Sequence, residues 1–320
     1  MKRLLIPLIA VGFMALAGTG CGGPEPPGES PTTEQLLDSA WARYRAGNYE
    51  ASLATFDSVV VVNADLVEAR LGQGFSSSQL SYYSDAHGSF GLINILAGTG
   101  VMVDTLGSFY MDTSNWLNHI DTTGYGDRGI YALTIPTPAS QLLSLFKLEI
   151  SYKGVNVVGL VGTTAYIKDD LPFDFGDDTS GILDDSVYVF YTYSYYNPEA
   201  VDELVWYSFV GENLTYLAQR DDYTRGILYG KAAYLTVDSI SNPAPDRVSS
   251  TLDMDKNHLG YALAYTYYRQ GWYANAVDVL HDVNSQFPYA GWDISDTADF
   301  DWCFDPDNLP SILNEIEGGL

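Results

Sequence analysis

Seven aspartates fall within one short stretch, at Asp169, Asp170, Asp174, Asp177, Asp178, Asp184 and Asp185, with Lys168 as the neighbouring base. Carboxylates this close repel one another unless water solvates them or a hard cation such as calcium bridges them. Asp174, Asp177 and Asp178 are the residues that would gather round such an ion. The spacing is not that of an EF-hand, which needs a glycine at its sixth place and a closing glutamate. Asp253, Asp255 and Asn257 begin such a loop too, but His258 stands where the glycine is needed and Ala264 where the glutamate is needed. For the first run, a solvated loop and a calcium site are both open.

Other groups capable of chemistry are scattered. The four histidines, His87, His119, His258 and His281, stand singly. GILYGKA, Gly226 to Ala232, has too few residues between its glycines for a phosphate loop and lacks the Ser or Thr that would hold magnesium. Gly98-Thr99-Gly100 lacks the third glycine of a dinucleotide fingerprint. No HExxH, CxxC or GxSxG occurs. The expectation is a protein that is not an enzyme and carries no cofactor. Cys303, between Trp302 and Phe304, reads as a small buried hydrophobe rather than a reactive thiol.

Charge excludes another class of function. The chain carries a formal charge of -26, and no Lys or Arg follows Arg269, whereas phosphate backbones require a basic face. Nucleic acid is therefore not expected as a partner. With 46% hydrophobic residues and 25 tyrosines the chain has the material for a large core.

The N-terminus carries targeting information. Lys2 and Arg3 precede an apolar run from Leu4 to Ala17, long enough for a signal peptide and short of the ~20 residues of a membrane span. Gly18, Thr19 and Gly20 lead into Cys21, and residues 22–33 (GGPEPPGESPTT) hold no large apolar side chain, as a flexible tether would. This layout resembles the lipobox of bacterial lipoproteins, although Gly18 occupies the place where a leucine is usual. The resemblance implies acylation of Cys21, a lipid anchor in the cell envelope and, in a host with two membranes, the outer membrane.

Internal periodicity shows which elements position everything else. Gly47, Tyr49, Ser52 and Phe56 recur 34 residues later as Ser81, Tyr83, Ala86 and Phe90, and Ala40 and Trp41 recur as Gly74 and Phe75. A further copy lies downstream, with Gly271, Tyr273, Ala276, Leu280 and Pro288 at matching offsets. Each copy predicts a helix, a tight turn at the glycine and a second helix, with small residues where the helices cross and Pro288 as the stop of the last. Period and spacing resemble the tetratricopeptide repeat. Since isolated hairpins cannot bury their apolar faces, the two groups must stack through further elements.

Between them the period changes to two. Phe146, Leu148, Ile150 and Tyr152 alternate with polar residues, and Ser186 to Tyr196 is rich in β-branched and aromatic side chains, so both read as strands, as does Val155 to Ile167. Leu204 to Val210 and Leu214 to Ala218 read as a further strand pair turning at Gly211-Glu212-Asn213, with buried helix as the alternative that short apolar runs leave open, and Tyr223 to Val237 reads as helix. The expected organisation is α+β: signal peptide 1–20, tether 21–33, hairpins 34–98, an irregular segment 99–129, a β-rich insertion 130–220, and a helical region 221–320 with the last hairpin and an acidic tail.

This points to a membrane-anchored scaffold whose hairpins bind a protein or peptide, with Tyr44, Tyr267 and Tyr268 available to a concave surface, although core packing is the commoner fate of such residues. The alternative is a surface lipoprotein that binds a glycan or small nutrient. The starch-binding SusD family is similar in combining tetratricopeptide-like helices with a variable region.

Overall fold

The computed structural model describes residues 30–99, 101–111, 120–121, 130–137, 142–150, 153–168, 187–196, 201–288 and 297–320. Cys21 and Asp174, Asp177 and Asp178 lie outside them. Thr33–Leu320 forms one compact α+β unit in which helices on both sides in sequence flank a strand-rich region.

The helices pair as hairpins: α1 (Thr33–Arg45) with α2 (Tyr49–Val62), α3 (Val67–Gln79) with α4 (Tyr83–Ala97), α5 (Glu203–Gln219) with α6 (Tyr223–Thr236), and α8 (Lys256–Gln270) with α9 (Tyr273–Val283). Every turn passes through a left-handed residue, with φ of +74° at Gly47, +63° at Ser81, +59° at Arg220 and +84° at Gly271. At three of them the same pair of backbone bonds closes the first helix. Gly47 N–H donates to Tyr44 and Asn48 N–H to Arg43; Ser81 and Tyr82 repeat this onto Ser78 and Ser77, and Gly271 and Trp272 onto Tyr268 and Tyr267. Ser81 therefore makes the glycine's turn despite its side chain. Asn284 caps the end of α9, so Pro288 lies beyond the helix instead of terminating it.

The hairpins stack in one continuous series, because α2 packs on α3, α4 on α5 and α6 on α8. Large side chains of the second helices fill space left by glycines on the first. A Cβ on Gly72 would lie 2.1 Å from the Phe56 ring, and one on Gly74 or Gly211 would lie 2.4 Å from the Phe90 ring. Phe90 is thus held between the inner helix of its own hairpin and that of the next. The segment expected as two strands turning at Gly211 is a single helix, α5, whose glycine marks this close approach. Its buried Trp206, Tyr207, Phe209 and Val210 form a run that resembles a strand in sequence.

The strands form two antiparallel four-stranded sheets. Their ranges are β1 Val101–Met111, β2 Ile120–Asp121, β3 Ile130–Thr134, β4 Leu142–Ile150, β5 Lys153–Gly154, β6 Asn156–Val161, β7 Thr164–Lys168 and β8 Val187–Tyr196. Their orders are β1-β8-β4-β5 and β2-β3-β7-β6. Strand structure therefore starts at Val101, inside the stretch expected to be irregular. The four residues from Leu142 to Leu145 are all buried, since α6 covers the face of β4 that would otherwise meet water. The second sheet docks through β6 on α9, where Trp272 Nε1 donates to the Val157 carbonyl at 2.9 Å. Apolar residues of both sheets share one core with α8, α9, Cys303 and α11 (Leu309–Gly319). α10 (Thr297–Phe304) packs on α9.

Opposite signs are expected for alanine at two glycines. Gly211→Ala, though favoured by helix propensity, overpacks Phe90 and costs about 1–3 kcal/mol. Gly88→Ala in α4, where a Cβ meets nothing within 4 Å, stabilises by up to about 1 kcal/mol. Urea unfolding of both variants checks this, and stabilisation by Gly211→Ala would contradict the close approach.

Candidate functional site

Among the helices lies a groove of about 350 Å³ with α2 and α4 as walls and α3 as floor. Asp57 stands on one wall, Asp85 and Gly88 on the other. Across the floor runs a polar relay: Arg70 Nη1 donates to Gln73 Oε1 at 3.1 Å, and Gln73 Nε2 donates to Asp57 Oδ1 at 2.7 Å. Arg70 is itself fixed by donating from Nε to the Ala64 carbonyl at 3.0 Å. Helical geometry explains the alignment, because Arg70, Gln73 and Ser77 are spaced three and four apart and share one face of α3.

The repeat places an equivalent groove between α6 and α9 over α8. Counted from the tyrosine that opens each second helix, Asp85 corresponds to Asn275 and Asp57 to Lys231; counted from the left-handed turn residue, Gln73 corresponds to Leu263 and Ser77 to Tyr267. Here the turn joining β6 to β7 lies at the groove. Asn275 grips the end of β6 at the backbone, accepting from Leu160 N–H at 3.1 Å and donating to the Leu160 carbonyl at 2.9 Å. At this groove, then, one peptide unit of β6 is held through its backbone.

Two ionic clusters brace the array. Glu68 is buried on α3, accepts from Trp41 Nε1 at 2.9 Å and receives Arg247 through Nε at 2.6 Å and Nη2 at 2.8 Å. Arg247 belongs to α7 (Asp246–Leu252), which lies against α1 and also reaches Glu34 at 2.7 Å. The second cluster crosses from α4 to α5, where His87 Nδ1 lies 2.5 Å from Glu212 Oε2, its Nε2 lies 3.1 Å from Gln219 Oε1, and the ring stacks on Tyr216. Burial opposes a charge on His87, but the hydrogen bond and charge of Glu212 outweigh it and raise its pKa. Burial likewise works against the Glu212 carboxylate and raises its pKa, offset in part by His87.

The repeat residues read from the sequence come together as core. Phe56, Ala86, Phe90, Ala276 and Leu280 are fully buried, while Tyr49, Tyr83 and Tyr273 open their helices. Of the tyrosines that could line a concave surface or fill the core, Tyr267 lines the groove of α6, α8 and α9. Tyr44 packs among Trp41, Tyr49 and Phe75; Tyr267 is buried and stacks on Trp272; Tyr268 packs against Tyr273. His258 is paired with Asp255, and His119 lies outside the described residues. Among the described residues no group of three or more His, Cys, Asp or Glu could hold a metal ion, and no helix is long and apolar enough to cross a membrane. No family model, curated protein or solved structure matches the chain.

The groove residues escaped the sequence reading because each is an ordinary polar residue on a helix. The signal that could have found them is their common offset from the turn, once the hairpin of α5 and α6 is recognised.

The His87 pair carries a pH signature. A histidine whose pKa is raised by folding stabilises fully below its ordinary 6.5, and that contribution is lost as pH rises through the raised value. Above it the Glu212 carboxylate stays buried with only the more distant charge of Arg225 to offset its burial. The stability difference between the unaltered chain and His87→Gln, measured by urea unfolding, should be largest below pH 6.5 and shrink as pH rises. A pH-independent difference would contradict the pairing.

Proposed function

We propose that this chain is an extracytoplasmic lipoprotein, anchored through Cys21, whose tetratricopeptide-like hairpins bind an extended segment of a protein or peptide in the groove of α2, α3 and α4. One observation carries the reading: the equivalent groove of α6, α8 and α9 holds an extended segment of this chain's own backbone, gripped in both directions by Asn275 at Leu160. The first groove keeps the same walls and floor, and among the described residues it stays open.

The chemistry of the groove favours a polar backbone ligand. Gln73 is buried, and Asp57 and Asp85 are exposed acceptors on opposite walls, placed to receive N–H groups. Leu53 and Leu92 supply apolar contact at the rims. Repetition supports the tetratricopeptide-like assignment: four hairpins share the left-handed turn, and Tyr49, Tyr83, Tyr223 and Tyr273 open the second helices. Each tyrosine is followed three residues later by a small residue, Ser52, Ala86, Gly226 and Ala276. The lipobox layout supports the anchor, which intact mass of the chain from its native membrane would reveal as an acylated N-terminal Cys21.

The test is a peptide selected from a displayed library on the immobilised chain. Gly88→Trp fills the groove from a position where an added Cβ meets nothing within 4 Å. It should weaken the peptide at least tenfold, and N-methylation of the peptide's central amides should do the same. Binding indifferent to both would refute the groove.

A further inference from the structure

A cavity of about 240 Å³ lies where the β6–β7 turn meets α6, α8 and α9. It is smaller than the ~300–1,000 Å³ typical of drug-sized ligand sites, and holds the equivalent of about eight waters at ~30 Å³ each. Leu160, Leu263 and Val279 give it apolar walls.

Its charged groups are of both signs, Lys231 and Asp278, which attract one another across it without contact, while Asn275 and Tyr234 in its lining are hydrogen-bonded to Leu160 and Asp282. Lys231 lines the cavity, and its ammonium donates to one backbone carbonyl, Leu142, at 3.2 Å. Among the described residues no carboxylate lies within 4.0 Å of it, so up to two of its three donors have no protein acceptor. Burial pushes its pKa down to about 8, and the charge of Asp278, which lies beyond contact distance, offsets this only in part. Tyr267 is buried beside it, and its hydroxyl makes no hydrogen bond among the described residues. At the exposed side stands Asp278, which likewise has no hydrogen bond or ion pair there, with Asp282 one turn further along α9.

A lysine and an aspartate sharing a cavity without touching would normally close on each other. That they stand apart leaves room for a ligand with its own anion and cation. We infer that the cavity binds a small zwitterion, a free α-amino acid with an apolar side chain. Its carboxylate meets Lys231 and the Tyr267 hydroxyl, its ammonium meets Asp278, and its side chain lies against Leu160, Leu263 and Val279. The carboxylate relieves the desolvated lysine, and the acidic mouth favours the ammonium. The site belongs to the junction of insertion and hairpins, and stands apart from the peptide groove.

Calorimetry on the full mature chain with three probes separates the handles: L-leucine, 4-methylpentanoate, which lacks the ammonium, and isoamylamine, which lacks the carboxylate. Leucine should bind at least tenfold tighter than either. Lys231→Met should abolish leucine binding, and Asp278→Asn, at an exposed position that does not threaten folding, should reduce leucine to the level of 4-methylpentanoate. Gly88→Trp should leave leucine binding unchanged, so that failure of the peptide groove and failure of this site are read separately. Equal binding of leucine and 4-methylpentanoate, leucine binding untouched by Asp278→Asn, or no binding of any probe would overturn the proposal.

Discussion

A phenyl ring needs more room between two helices than side chains on both of them would allow. Phe90 obtains that room from Gly74 and Gly211, which carry no Cβ at the two points where its ring presses against neighbouring helices. The rest of the molecule follows from this arrangement. Gly211 belongs to α5, more than a hundred residues from Phe90, so one buried ring fastens the N-terminal hairpins to the C-terminal ones across the whole strand-rich insertion. The array is continuous in space although its sequence is interrupted.

That continuity explains why the two sheets sit where they do. They grow from the connection between α4 and α5 and settle on α6 and α9, the second helices of the later hairpins, through β4 and β6. The same series of grooves therefore exists in two states: open between α2 and α4, and met by the chain's own β-turn between α6 and α9. An open groove and a half-open cavity met by the chain's own turn are two outcomes of one repeated geometry. The α7 arm adds a brace on the other side, spending its Arg247 on the buried Glu68 so that this carboxylate is not left without a partner.

Much of this was legible in the sequence. The copies at Gly47 and Gly271 were plain because glycine supplies a left-handed turn without strain, and the strands at Val187 to Tyr196 because β-branched and aromatic residues crowd there. The third hairpin was hidden by compensating exchanges. Where the other inner helices carry Ala40, Gly74 and Ala264, α5 carries Asn213, and where the outer helices carry Phe56, Phe90 and Leu280, α6 carries Gly230. A Cβ on Gly230 would stand 2.7 Å from Asn213 Nδ2, so the amide fills the space the ring would take. Asn213 also donates to Gly226 O at 2.8 Å and Thr266 Oγ1 at 3.0 Å, linking three helices with a polar group that no apolar pattern reveals. The turn there is one residue longer and uses Arg220 in place of glycine, which removed the remaining cue. The groove and the Lys231 cavity were illegible for a related reason: their residues come from separate elements and acquire meaning only from the stacking.

The claim at the centre is that the second and third hairpins are clasped directly through Phe90. Residue-resolved hydrogen exchange on the unaltered chain and on Phe90→Ala tests it most directly. Removing the ring should lower protection in α5 as well as in α3 and α4. Loss confined to α3 and α4, with α5 protected as before, would contradict it.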